Sequence, residues 1–203
     1  MRYLITVLLA IGFLFHIDIA TAQNAKRGAD AYKLCASCHG FKAEGNQLVA
    51  APALAAQETW YLERQLRKFR DGIRGGVEDD VHAGKMALTM RAVPDDEAIV
   101  DLVAYIKTLP ALNPEPSIEG DVARGRDFYQ ACAACHGSKG EGNVALNAPA
   151  LASMQDWYQL TQLQKFKDGN RGRVAGDVQG MQMAPMVATL PDTDAMRDVI
   201  AYI

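Results

Sequence analysis

The chain has 203 residues, with 21 Lys and Arg against 24 Asp and Glu, enough for one large domain or two of about a hundred residues. A formal charge of −3 with 49% hydrophobic and 22% charged residues excludes extensive disorder, and it leaves no basic excess to bind nucleic acid or a polybasic membrane-surface site. Two half-length domains would each be short of core, so a cofactor, metal or disulfide staple is expected.

At the N-terminus, Arg2 precedes an apolar run from Leu4 to Phe15, interrupted by His16 and Asp18. The run is shorter than the roughly 20 apolar residues of a bilayer span, but it suits an export signal. Ala20-Thr21-Ala22 offers the small-residue cleavage site, so residues 1–22 are expected to be a signal peptide and the mature chain to be periplasmic. Next, a helix is expected from about Lys26 to Cys38. A second, carrying Leu62, Leu66 and Phe69, should end at Gly72. A third has Ile99, Leu102, Val103 and Ile106 at helical spacing and starts at Pro94-Asp95, where the aspartate can cap the first turn.

The same pattern then returns. Shifted by 97 residues without a gap, 25–106 falls on 122–203 with 40 identities in 82 positions. Helices are therefore expected from about Ala123 to Cys135, around Leu163 and Phe166 up to Gly169, and around Met196, Val199 and Ile200 after Pro191-Asp192. Pro110, Pro114 and Pro116 forbid a continuous helix between the copies. No segment shows sustained period-two alternation. The fold class is all-α, with two tandem domains at 23–109 and 122–203 joined by a proline-rich linker at 110–121.

All four cysteines sit at equivalent places, in Cys35-Ala36-Ser37-Cys38-His39 and Cys132-Ala133-Ala134-Cys135-His136. C-x-x-C-H is the attachment pattern of c-type haem: two thiols on one helical turn bond the porphyrin edge, and the adjoining histidine presents a nitrogen to the iron. A zinc site made from both pairs would need them about 15–20 residues apart rather than 97. A Cys-x-x-Cys disulfide would close too small a loop to stabilise much. A thioredoxin-like pair needs a βαβ setting. Each domain is thus expected to bind one haem c covalently. For the second axial ligand the repeat arbitrates. His82 falls opposite Gln179, Met90 opposite Val187, Met181 opposite Gly84, and Met186 opposite Thr89, whereas Met86 aligns with Met183. A thioether on a loop after the middle helix is expected at both sites, and His/Met coordination raises the reduction potential. His82 reads as a surface histidine that could replace Met86.

These motifs, with Ala51-Pro52-Ala53-Leu54 and Ala148-Pro149-Ala150-Leu151 thirteen residues past each haem histidine, and Trp60-Tyr61 and Trp157-Tyr158 opening the middle helices, resemble the dihaem class I cytochromes c of the cytochrome c-four type. The likeness runs over 25–203. It implies axial pairs His39 with Met86 and His136 with Met183, and it implies that the carbonyls of Pro52 and Pro149 accept the other ring N–H of each histidine. It further implies close helix crossings at Gly28 and Gly125, with Tyr32 and Tyr129 against Tyr105 and Tyr202. Trp60 and Trp157 are assigned to haem-pocket packing or, equally, to an ordinary aromatic core. Lys68, Arg70, Arg74, Lys165, Lys167 and Arg171 are left as solvated charges or propionate partners. Met86-Ala87-Leu88 lacks the proline of Met183-Ala184-Pro185, and copy two stops at Ile203 where copy one continues through Lys107 and Leu109.

An iron with both axial positions filled leaves no site for substrate, so outer-sphere electron transfer rather than catalysis is expected. By resemblance, the donor is a quinol-oxidising complex and the acceptor a haem–copper terminal oxidase. The alternatives are a cytochrome subunit of a periplasmic dehydrogenase and, behind it, a dihaem peroxidase. A monomer is expected, peripheral membrane association is allowed, and nucleic acid is excluded. From Gln23 to Asn113 there are 12 basic and 12 acidic residues, and from Pro114 onward 8 and 11, so the two ends differ in charge.

Overall fold

The computed structural model describes residues 24–111 and 113–203; the expected signal peptide lies outside the described residues. Its helices follow in the order α1 (24–39), α2 (Thr59–Arg70), α3 (Val81–Met90), α4 (Asp96–Ile106), α5 (Val122–His136), α6 (Asp156–Asp168), α7 (Val178–Ala188) and α8 (Thr193–Tyr202). Among the described residues there is no strand, and two isolated bridges pin matching loops, Asn46 with Ala51 and Asn143 with Ala148. The fold is all-α, in two lobes of four helices each. No helix of the described residues is long and apolar enough to cross a membrane.

Local chemistry sets the boundaries. Asp95 and Asp192 accept from Ala98 and Ala195 N–H at the starts of α4 and α8, satisfying first-turn donors that the helix cannot. α2 and α6 close on Gly72 and Gly169, both at positive φ. The linker is extended and is tied back where Asp156 accepts from the backbone N–H of Ser117 and Ile118.

Each lobe packs its first helix across its last. A Cβ on Gly28 would lie 1.9 Å from the Asp101 carbonyl oxygen, and one on Gly125 1.9 Å from that of Asp198. Tyr32 and Tyr105 stack at 5.4 Å beside the first crossing, and Tyr129 and Tyr202 at 5.4 Å beside the second. Arg27 binds Asp101 at 2.6 Å, and Arg124 pairs with Asp198 in the same way. Ile99, Leu102, Val103 and Ile106 form the centre of the first core. Met196, Val199 and Val187 form that of the second.

The methionine segments differ from expectation. Met86 and Met183 lie within helices α3 and α7 rather than on loops. Asp80 and Asp177 explain this, since their carboxylates accept from Ala83 and Gly180 N–H and nucleate a turn that the apolar residues behind it can extend.

Candidate haem sites and the cleft between the lobes

The histidine ends α1 in one lobe and α5 in the other, and both helices stop because the next residue, Gly40 or Gly137, takes φ near 80°. Tyr32 and Tyr129 donate to the carbonyls of those glycines at 2.8 Å. The chain then turns through Gly45 or Gly142, whose N–H donates to the histidine's own carbonyl, and passes a short 3₁₀ turn, Gln47–Val49 or Val144–Leu146. Ala50 and Asn147 follow in left-handed conformation. This loop carries the proline carbonyl back beneath the imidazole: Nδ1 of His39 is 2.7 Å from the Pro52 oxygen, and Nδ1 of His136 is 2.8 Å from that of Pro149. Nδ1 must then carry the proton, which leaves Nε2 unprotonated and able to bind a metal. Burial, opposed by the proline carbonyl, holds both imidazoles below their usual pKa, so they are neutral near pH 7.

Cys35, Cys38, His39, Pro52 and Met86 all line one pocket, in lobe 1. Cys132, Cys135, His136, Pro149 and Met183 line the other, in lobe 2, together with Met186. His82 is exposed and lies on the wall of the first pocket one turn before Met86. Burial pushes the Cys35 thiol up to about 11 and raises Cys132 as well. Neither is a ready thiolate at neutral pH. Trp60 and Trp157 do not line the pockets. The side chains next to them do: Tyr61 lines both pockets, and Tyr158 lines that of lobe 1. Trp60 instead lies edge-on to Tyr61 and beneath Arg64. The reason is register: Tyr61, Gln65 and Lys68 share one stripe of α2, and the tryptophan precedes it by one residue.

That stripe faces the opposite lobe. Lys68 reaches Asp177 at 2.5 Å, and its repeat equivalent Lys165 reaches Asp80 at 2.6 Å. Arg74 donates to Tyr158 and Gln162 at 2.8 Å each, and Arg171 donates to Tyr61 at 3.2 Å and Gln65 at 3.3 Å. Gln155 accepts from Ala53 N–H at 2.7 Å, and Glu58 accepts from Ala150 N–H at 3.1 Å. Each of these contacts is answered by its repeat equivalent, the pattern of an isologous two-fold interface. The aspartate that starts each methionine-bearing helix is the one that crosses to the other lobe. Each pocket is also walled by its neighbour: Tyr61, Arg64 and Lys68 line that of lobe 2, and Tyr158, Gln162 and Lys165 that of lobe 1. Arg70 and Lys167, by contrast, stay in their own lobes, on Asp71 and Asp96 and on the Leu190 and Pro191 carbonyls.

Charge at the cleft is unbalanced. Lys68, Lys165, Arg74 and Arg171 meet only Asp80 and Asp177, and the two arginines bind neutral Gln and Tyr oxygens. Burial lowers both lysines despite their aspartates. Two uncompensated buried cations are costly. A haem, which brings two carboxylates with its macrocycle, fits both this surplus and the Cys/Cys/His/Met donor sets.

Replacing Lys68 by Met should strand Asp177 in the cleft. The expected cost is about 3–5 kcal/mol, the usual penalty for removing one partner of a buried pair, read as a lower thermal midpoint. Unchanged unfolding would mean that the lobes do not rely on this clasp.

The cytochrome c family model matches residues 25–110 and again 122–203. This chain belongs to the cytochrome c family. As a tandem cytochrome c it carries two covalently bound haem c groups and is a dihaem electron carrier of the cytochrome c4 kind. It is 29% identical to cytochrome c4 of Stutzerimonas stutzeri, over 95% of this chain and 93% of that one. The fold matches the crystal structure of reduced recombinant cytochrome c4 from Pseudomonas stutzeri with a TM-score of 0.66 at 23% identity, covering 88% of this chain and 96% of the other. A thiosulfate dehydrogenase (TsdBA) from Marichromatium purpuratum is similar at 27% identity and a TM-score of 0.65, over 88% of this chain. The cytochrome spans 39% of that longer protein.

Proposed function

We propose that this cytochrome is a periplasmic carrier that passes single electrons from a quinol-oxidising complex to a haem–copper terminal oxidase and catalyses no reaction of its own. The observation that carries this reading is the equivalence of the two donor sets, each a histidine and a methionine in the wall of one pocket. In lobe 1, Cys35 and Cys38 would hold the macrocycle, His39 and Met86 would bind its iron, and the Pro52 carbonyl, 2.7 Å from Nδ1, would orient His39. In lobe 2, Cys132 and Cys135, His136 with Met183, and Pro149 would do the same. Bound haem supplies a one-electron iron couple.

The protein's part is to hold a closed coordination sphere, so that an electron arrives and leaves without a bond being made. Exposed Cys38 and Cys135 lie beside apolar rims, Leu34, Leu48 and Val49 in lobe 1 and Leu146 and Met186 in lobe 2. Such rims support brief, weak encounters with redox partners. The domains run over 23–109 and 122–203 with the linker at 110–121, and residues 1–22 are removed on export.

Spectroelectrochemical titration of the purified protein should give two one-electron transitions with both irons low-spin, and peroxide should not be turned over. Steady peroxide turnover, or a high-spin iron open to added ligands, would overturn the carrier reading. The likeness to a thiosulfate dehydrogenase favours one second reading, a dedicated dehydrogenase subunit. Co-purification of a sulfur-oxidising dehydrogenase at low salt would select it.

A further inference from the structure

Most contacts of the interface are two-fold symmetric, but not all: Lys68 also donates to Gln179 at 2.7 Å, and the departure that brings a charge to one pocket alone is at Arg64. Arg64 of α2 donates to the Asn147 side-chain oxygen at 2.6 Å and to its backbone carbonyl at 3.0 Å, across the lobe boundary. The repeat equivalents, Thr161 and Ala50, cannot form this contact, and Thr161 turns back to the Trp157 carbonyl. Arg64 lines the pocket of lobe 2 although it belongs to lobe 1, and Thr161 occupies the matching position in the pocket of lobe 1. The guanidinium lies 4.6 Å from the Trp60 ring centre, which fixes its plane. Its Nε–H is buried without an acceptor. A buried donor left unpaired costs about 1–3 kcal/mol, so this wall has an unmet demand for an anionic oxygen as well as an uncompensated charge.

We propose that Arg64 is a potential-setting residue acting from lobe 1 on the haem of lobe 2: it offers a hydrogen bond and a positive charge to that haem's carboxylates and so raises its reduction potential without affecting the other. This rests on the carrier reading given above. A fixed cation favours the ferrous iron, which carries one positive charge less, and partial desolvation strengthens the effect. Burial depresses the Arg64 pKa, the cost expected of a cation held away from water. Around the other pocket the additional basic side chains are Lys85 and His82, both exposed, so water and salt screen them. The remaining cleft cations are matched by the repeat and cancel in a comparison of the two sites, whereas Glu58, on the Ala150 N–H with neutral Gln155 as its equivalent, sets an anion beside lobe 2 that offsets part of the Arg64 charge; the contribution of Arg64 is therefore read from its own substitution and not from the difference between the two haems.

The test is redox titration of the haem-loaded protein as Arg64→Gln, Arg64→Lys and Asn147→Ala. The two haems are told apart by proton NMR of the axial methionine methyl groups, assigned through Met86→His and Met183→His. Arg64→Gln should lower the potential of the lobe 2 haem alone, shifting the distribution of the first electron between the lobes about tenfold, which is 59 mV for a one-electron couple. Arg64→Lys should retain most of the original potential, and Asn147→Ala, which removes the side-chain half of the clasp but keeps the charge, should leave the potential close to that of the unaltered protein. No shift in either potential, or an equal shift in both, would overturn the proposal and leave Arg64 as a structural clasp. Absence of two low-spin His/Met haems in the unaltered protein would instead sink the carrier reading itself.

Discussion

Replacing Gly28 by valine is expected to abolish assembly of lobe 1 while lobe 2 still acquires its haem. Even the first added carbon would lie 1.9 Å from the Asp101 carbonyl oxygen and 2.6 Å from its carbon. Both atoms belong to the backbone of α4, so no rotamer change relieves the clash. The helices must separate, which breaks the Tyr32–Tyr105 stack and exposes the core around Ile99 and Leu102. The cost should exceed about 4 kcal/mol, beyond the ordinary range of single substitutions, out of a total of about 5–15 kcal/mol for a whole domain. Haem content per chain and the thermal midpoint report it: half the haem with a residual lobe 2 transition is the expected result. Gly72→Ala is the control. That glycine has positive φ but nothing within 4 Å of an added carbon, so the loss should be near 1 kcal/mol. A fully loaded Gly28→Val protein would mean that the crossing is not what holds the lobe.

Replacing Met183 by alanine should remove the sulfur-to-iron charge-transfer absorption of one haem and lower that haem's potential. A thioether axial ligand favours the reduced iron relative to a nitrogen or oxygen donor. The fall should exceed about 59 mV, a tenfold change in the one-electron equilibrium. The other haem should keep its band. Met186 stands in the same pocket wall and sets the alternative outcome: an unaltered band and potential in Met183→Ala, with loss in Met186→Ala, would transfer the ligand role to Met186.

Much of this was legible in the residues, because the repeat and the helical period report on contacts within a lobe. The spacing of Ile99, Leu102, Val103 and Ile106 marked the buried face of α4, while the close crossing at Gly28 was implied by the resemblance to class I cytochromes c. The methionine segments were misread as loops because Gly84 and Gly180 lower helix propensity; the caps at Asp80 and Asp177 outweigh them. The two-fold contact was missed for a different reason. Lys68, Arg74, Lys165 and Arg171 look like solvated helix charges, since an isolated lobe would leave them so. Their partners stand about 85–110 residues away, a separation that local periodicity does not register. One signal was nevertheless present: Tyr61, Gln65, Lys68, Arg74 and Asp80 are identical in both copies, as a self-complementary surface requires. Arg64 carried no such signal, since its role depends on its equivalent being different.

The crossed pairing has a consequence for how a fused chain can specialise. Each copy bears both halves of every matched contact, so a single such module could meet a twin through the same face, at a rate set by dilution. A proline-rich tether makes the encounter unimolecular at an effective concentration near the millimolar range, and occupancy of the paired state no longer falls as the protein is diluted. It also lets one face change without the other: an Arg64–Asn147 contact can coexist with Thr161 and Ala50 at the equivalent positions only where two copies within one chain, free to differ in sequence, have replaced identical partners.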